Sequence, residues 1–183
     1  SVDPFPVAVG FRPERACGTA IDIAVRLLEF MKCPSSCGKV VLLTGGPATR
    51  GPGSVVGIKK DEMLRFHRDF MDGNVPHYQA ALTFYNDIAA RLLQQRASLD
   101  AFAESFDQVG ITELRRCVNQ TGGCFVCGDT FDHDMFTFSF ERLFARSDVR
   151  REESATSAAF ALEIEVHMSG DTLISGAIGP CEA

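Results

Sequence analysis

The chain has 183 residues, 45% of them hydrophobic and 23% charged, a makeup that suits one ordinary globular domain with a sizeable core. Its net charge of −6 speaks against nucleic acid as a direct partner, because phosphate binding needs a basic field. No run approaches the roughly 18 apolar residues of a membrane span, and seven scattered cysteines read as reduced cytosolic thiols, not a disulfide framework.

The first residues, Ser1-Val2-Asp3-Pro4, read as the start of an internal fragment or of a trimmed chain. Pro4, Pro6 and Pro13 keep the lead-in extended. Residues 16–32 read as an amphipathic helix, with Ala20, Ala24, Leu27, Leu28 and Met31 at helical spacing; Asp22, Arg26 and Glu29 break its apolar run. Pro34 and Gly38 end it. Lys39 to Thr44 is an apolar run of the kind expected of a strand covered on both faces. A Gly- and Pro-rich loop of residues 45–57 follows. Asp61 to Met71 reads as a short helix. Pro76 suits the first turn of a helix over 76–97, with Ala80, Phe84, Ile88 and Leu92 as its apolar stripe.

Leu99 to Phe106 is the second predicted strand and Ile111 to Val118 a short helix. Gly122-Gly123 turns into a strand over 124–127, and Asp132 to Ala145 is a Phe-rich helix. Phe136, Phe140 and Phe144 fall on one stripe that should face the sheet, leaving Phe138 off it. From Phe160 to Met168 apolar and polar residues alternate, the period of a strand with one wet face. Ser169-Gly170-Asp171 is a turn signal and Thr172 to Ile178 a returning strand. Strand–helix alternation over 16–146 implies parallel strands joined by crossovers.

The loop Gly45-Gly46-Pro47-Ala48-Thr49-Arg50-Gly51-Pro52-Gly53 stands where α/β proteins place ligands, after the carboxyl end of a strand. Gly46 to Gly51 has the first spacing of a phosphate-binding P-loop. Pro52 then occupies the position that requires Lys, and Pro47 and Pro52 remove backbone N–H donors. A rigid turn presenting a surface is the better reading. Cys124 and Cys127 with Cys33 and Cys37 suggest a four-Cys zinc site. However, Cys124 and Cys127 should face opposite sides of a strand, which favours small packed thiols. The four histidines share no metal spacing, and no nucleophile–base–orienter set is present.

The Gly45–Gly53 loop with Val55-Val56-Gly57 resembles a segment of the GTPase-activating subunit of the COPII inner coat, the Sec twenty-three family. Asp107-Gln108-Val109-Gly110, Asn119 with Thr121-Gly122-Gly123, Gly128-Asp129-Thr130-Phe131 and Gly176-Ala177-Ile178-Gly179-Pro180-Cys181 recur in the same order. Asp3-Pro4-Phe5-Pro6-Val7 and Arg12-Pro13 resemble that family's lead-in, with Phe5 in place of Trp.

The resemblance implies a von Willebrand A-like α/β fold: a mostly parallel sheet flanked by helices, with an antiparallel C-terminal hairpin leading to a β-sandwich. Residues 1–168 would be a partial trunk domain without its N-terminal strand, and 169–183 the return strand and the start of the sandwich. An open sheet edge follows from that, so the fragment should be less stable than a complete trunk.

The implied role is non-catalytic, as an adaptor that pairs with the cargo-adaptor coat subunit, docks the Sar-type small GTPase and joins outer-coat subunits. That places it on the cytosolic face of the endoplasmic reticulum and of COPII vesicles, with peripheral membrane association through the complex. Thr49, Arg50 and Pro52 are the candidate partner-interface residues. The GTPase-activating arginine and the zinc finger belong to other parts of such a protein, so no catalytic, cofactor or metal residue carries over. The metal-binding Asp of von Willebrand A domains would fall just after Leu43, where Thr44-Gly45-Gly46 offers no carboxylate. The alternative is a small α/β enzyme or nucleotide binder using the 45–53 loop.

Overall fold

A computed structural model describes residues 6–31, 38–144 and 165–176. Three strands, β1 (Lys39–Thr44), β2 (Ser98–Glu104) and β3 (Phe125–Gly128), form a parallel sheet in the order β1-β2-β3. Leu42 pairs with Ala101, and Ala101 with Phe125. The helices are α1 (Cys17–Met31), α2 (His67–Met71), α3 (Tyr78–Gln94), α4 (Ile111–Gln120) and α5 (Asp134–Leu143).

Side chains alternate across β2, so its two faces meet different helices. Leu99 and Ala101 join Ile21 and Val25 of α1, Tyr85, Ile88 and Leu92 of α3, and Leu114, Cys117 and Val118 of α4 in the main core. Phe102 points to the other face. There its ring centroid lies 5.8 Å from Phe136 and 5.6 Å from Phe140 of α5, both edge-on. Phe136 and Phe140 of the predicted stripe therefore face the sheet and stack at 5.5 Å, whereas Phe144, 49% exposed, meets Phe140 at 5.2 Å at the end of the helix. Phe138 stays exposed.

The strand covered on both faces is β2, whose every residue is buried. The expectation for Lys39 to Thr44 is corrected: β1 has one described neighbour, and Leu43 is 49% exposed. The second strand ends at Glu104, before the 87% exposed Phe106. The short helix predicted for 61–71 begins only at His67, where the Asp69 carboxylate accepts the Phe66 N–H at 2.6 Å. The predicted stripe of α3 is shifted by one residue at its start: Ala81 and Tyr85 are buried and Ala80 is exposed.

Two local devices hold the layers. The Thr121 hydroxyl accepts the Leu99 N–H at 3.1 Å and donates to the Cys117 carbonyl at 2.9 Å, tying the end of α4 to the start of β2. Arg91 of α3 donates to both Glu29 oxygens at 2.7 and 2.9 Å and to Asp22 at 2.6 Å, clamping α3 to α1. Those hydrogen bonds hold the Asp22 and Glu29 carboxyls below their usual range.

In the tail, the predicted turn is present, with the Thr172 N–H donating to the Ser169 carbonyl at 3.1 Å. Residues 165–169 and 172–176 form no strand. The rest of the expected hairpin and sandwich entrance lies outside the described residues, as do Cys33 and Cys37.

Candidate functional site

The loop after β1 is strapped down by the chain that precedes α1. Thr49 and Arg50 both donate their N–H to the Arg15 carbonyl, at 2.9 and 3.1 Å. The Thr49 hydroxyl donates to the Pro13 carbonyl at 2.8 Å and accepts the Arg15 N–H at 2.9 Å. Arg12 N–H donates to the Ile58 carbonyl at 2.7 Å, and its guanidinium to the Gly57 carbonyl at 3.2 Å and the Glu62 carbonyl at 2.7 Å. The lead-in thus runs along the loop and supplies partners for backbone groups that would otherwise be unpaired.

Two glycines make this closeness possible. A Cβ on Gly18 would collide with the Pro52 carbonyl, so α1 can lie against the loop only because Gly18 has no side chain. Gly53 has φ +73° and lies under the Tyr85 ring; a Cβ there would come within 2.8 Å of it. Tyr85 also donates its hydroxyl to the Gly53 carbonyl at 3.2 Å. At the start of the loop the Thr44 hydroxyl donates to the Gly46 carbonyl at 2.8 Å. The carbonyls of Gly46, Ala48 and Gly53 and the Thr49 hydroxyl are thus engaged within the protein itself.

The three sequence-predicted residues occupy different settings. Thr49 is 5% exposed, and its hydroxyl is used internally. Arg50 is exposed, and its guanidinium meets the exposed Glu14 at 3.0 Å. Pro52 is exposed beside it. Arg50 and Pro52 are therefore adjacent surface features on a braced backbone, and Thr49 helps to brace it.

Burial disfavours the thiolate at three cysteines. Burial pushes the Cys117 thiol up to about 12. Burial also raises Cys124, with Asp100 adding to the effect, and raises Cys127, with Glu104 adding. Cys124 lies just before β3, and strand alternation sends it and Cys127 to opposite faces. Among the described residues no three His, Cys, Asp or Glu side chains are grouped to hold a metal, and no helix is long and apolar enough to cross a membrane.

Sequence reasoning missed two buried charged features. Glu104 ends β2 with both carboxylate oxygens buried and unpartnered. Arg65 and Glu113 form a buried ion pair, their side chains 8% and 0% exposed. The Glu113 signal was present: Glu113, Leu114, Cys117 and Val118 share the buried face of α4, and Glu113 puts a carboxylate among three apolar side chains.

Residues 2–147 match the family model of the Sec23/Sec24 trunk domain. The chain is 36% identical over 181 residues to "Protein transport protein SEC23 F" of Arabidopsis thaliana, covering 99% of this chain and 23% of that protein. It is 37% identical over 179 residues to "Protein transport protein SEC23 C" of the same plant, covering 97% of this chain and 23% of that protein. The chain thus spans about a quarter of the length of these relatives. A parallel α/β sheet flanked by helices, the braced Gly–Pro loop and the Thr121 tie all occur within the matched segment, and the chain belongs to the Sec23/Sec24 trunk-domain family, as a Sec23-type trunk.

Proposed function

We propose that this chain is the trunk module of a COPII coat subunit, a non-catalytic adaptor that pairs with the cargo-adaptor subunit and helps to dock the Sar-type small GTPase. In this reading the GTPase-activating arginine, the zinc finger and the outer-coat contacts belong to the longer protein, and residues 169–183 lead into its β-sandwich. The module then acts on the cytosolic face of the endoplasmic reticulum and of transport vesicles, held there through the complex. The names of the plant relatives as protein transport proteins support it.

The observation that carries the reading is the form of the 45–53 loop. Its backbone is anchored to Arg15 and Tyr85 and its Thr49 hydroxyl to Pro13, and Arg50 and Pro52 project from it. A loop ordered before binding loses little conformational entropy on docking, which suits a protein interface. Pro47 and Pro52 lack the N–H groups a phosphate would need. Pull-down by a cargo-adaptor subunit tests it, with Arg50→Glu as the variant. Among the described residues Arg50 pairs only with an exposed carboxylate, an interaction worth ~0–1 kcal/mol, so the variant keeps its fold. Binding is expected to fall about tenfold on charge reversal at the interface. A folded native chain that captures no adaptor, or an Arg50→Glu chain that binds equally well, overturns the assignment. A clear rise in Tm with ATP or GTP would support a nucleotide site instead.

A further inference from the structure

Glu104 stands at the carboxyl end of β2, on the face that α5 covers. Side chains alternate along a strand, so Glu104 shares its face with Phe102, which meets Phe136 and Phe140 of α5. Gly128 lies beside it in the β2–β3 register, and the carboxylate fills the space that a side chain there would take. The Phe131 ring and the Glu104 carbonyl both come within 3.8 Å of where a Cβ on Gly45 would stand. Phe131 in turn meets Phe136 edge-on at 5.0 Å. The turn of residues 129–133 and the first turn of α5 therefore roof this end of the sheet.

Under that roof Glu104 is 4% exposed, and both its oxygens are buried without a hydrogen-bond partner among the described residues. Three titratable groups lie close to it. His133, before α5, attracts its charge; Asp129, after β3, repels it; and the charge of Glu104 itself disfavours the Cys127 thiolate. Asp132 and Asp134 of the roof are exposed to water, and on the β1 side Gly45 presents no side chain. His133 is already engaged, because its Nδ1 accepts the Met135 N–H at 3.1 Å and caps α5. Burial thus favours the neutral acid and pushes its pKa up. Ionisation under a closed roof leaves a carboxylate with neither water nor a donor, and that cost falls once the roof lifts.

We propose that Glu104 is a proton-operated latch for the start of α5: protonated, it lets residues 129–137 close over the end of the sheet, and ionised, it drives them open until water reaches the carboxylate. The closed form holds the proton more tightly than the open form. Closure is therefore fully stable below the ordinary value of 4.5 and weakens as pH rises through the folded pKa. Above that point each pH unit raises the opening constant about tenfold. Opening parts Phe131 from Phe136, so the loss of one proton loosens the aromatic layer on this side of the sheet. The latch uses neither Arg50 nor Pro52 and stands apart from the coat reading.

Amide hydrogen exchange of the full chain, followed by NMR between about pH 5 and pH 8, tests it. The reporters are the N–H groups of Met135, Phe136 and Thr137, which bond to the ring and carbonyl of His133. Ile88 and Leu92 of α3 are the controls. Dividing each rate by that of an unstructured peptide at the same pH gives the opening constant. In α5 this constant is expected to rise with pH, by up to about tenfold per unit, while it stays level in α3. Glu104→Gln should flatten the rise. His133→Asn, which keeps a capping side chain, and Asp129→Asn should both retain it. An α5 opening constant that does not change with pH overturns the proposal. So does a parallel rise in α3, which makes the event global, or a rise that survives in Glu104→Gln. Should Glu104→Gln fail to fold, the other two variants decide: a rise kept in both leaves Glu104 as its source, and a rise lost in either overturns the latch.

Discussion

Glu104 closes the central strand with a carboxylate that is 4% exposed and hydrogen-bonded to nothing described. It sits against Gly128, its partner in the β2–β3 register, in the space that a side chain at Gly128 would fill. Burial pushes its pKa up; His133 pulls it down, and Asp129 adds to the rise. The folded state thus holds this proton more tightly than the unfolded chain does. The associated stability is fully present below the ordinary value of 4.5 and is lost as pH rises through the folded pKa. Glu104→Gln removes the charge and keeps the shape. It is expected to exceed the native chain in stability at pH 7 by about 1 kcal/mol, the order of one buried unsatisfied group. Urea midpoints at pH 7 and pH 5 check this, since the advantage must shrink at the lower pH. An equal advantage at both values removes burial of the charge as its cause. In the sequence Glu104 looks like the wet end of an apolar strand. Its burial depends on a glycine twenty-four residues later, which no local pattern displays.

At the scale of elements, α5 tests whether periodicity alone identifies a packed face. Phe136 meets Phe131 edge-on at 5.0 Å, stacks with Phe140 and reaches Phe102 across the sheet. Phe138, two residues on, is 60% exposed, with the Arg142 guanidinium carbon 6.0 Å from its ring centre. Phe136→Ala is expected to cost about 1–2 kcal/mol, because a half-buried ring loses its edge-on and stacked aromatic partners. Phe138→Ser should stay within roughly 0.5 kcal/mol of the native chain. Guanidinium denaturation of both variants checks the pair, and comparable losses would mean that the stripe does not define the face. This stripe, the parallel strands and the four longer helices were legible because periods of 3.6 and 2 report burial directly. The depth of β1 was not, because an apolar run is compatible with any position in a sheet and the positions of its neighbours decide. Arg50 and Pro52 were legible as surface from their loop, whereas the buried role of Thr49 comes from backbone groups of the lead-in thirty-four to thirty-six residues earlier.

Across the whole molecule, the uneven treatment of α1 matters most. One face carries Ile21 and Val25 into the main core. The opposite side displays Ile23, Leu27 and Phe30 at 53%, 57% and 84% exposure, with Leu43 of β1 at 49% also uncovered. A helix apolar on two sides is normally buried on both, and the described residues cover only one. Contiguous apolar surface of this kind promotes association in water. The isolated 183-residue chain is therefore expected to self-associate as its concentration rises. Leu27→Lys with Phe30→Lys should suppress this without loss of stability, because both side chains lie outside the core cluster. Static light scattering across a concentration series measures the effect, and a thermal melt confirms that the variant is folded. Scattering that rises equally in both chains would place the sticky surface elsewhere, on the exposed aromatics of α5 and the turn before it. Scattering that stays flat in both would mean that Arg26, Glu29 and the rest of the charged surface keep the exposed residues of α1 in solution on their own.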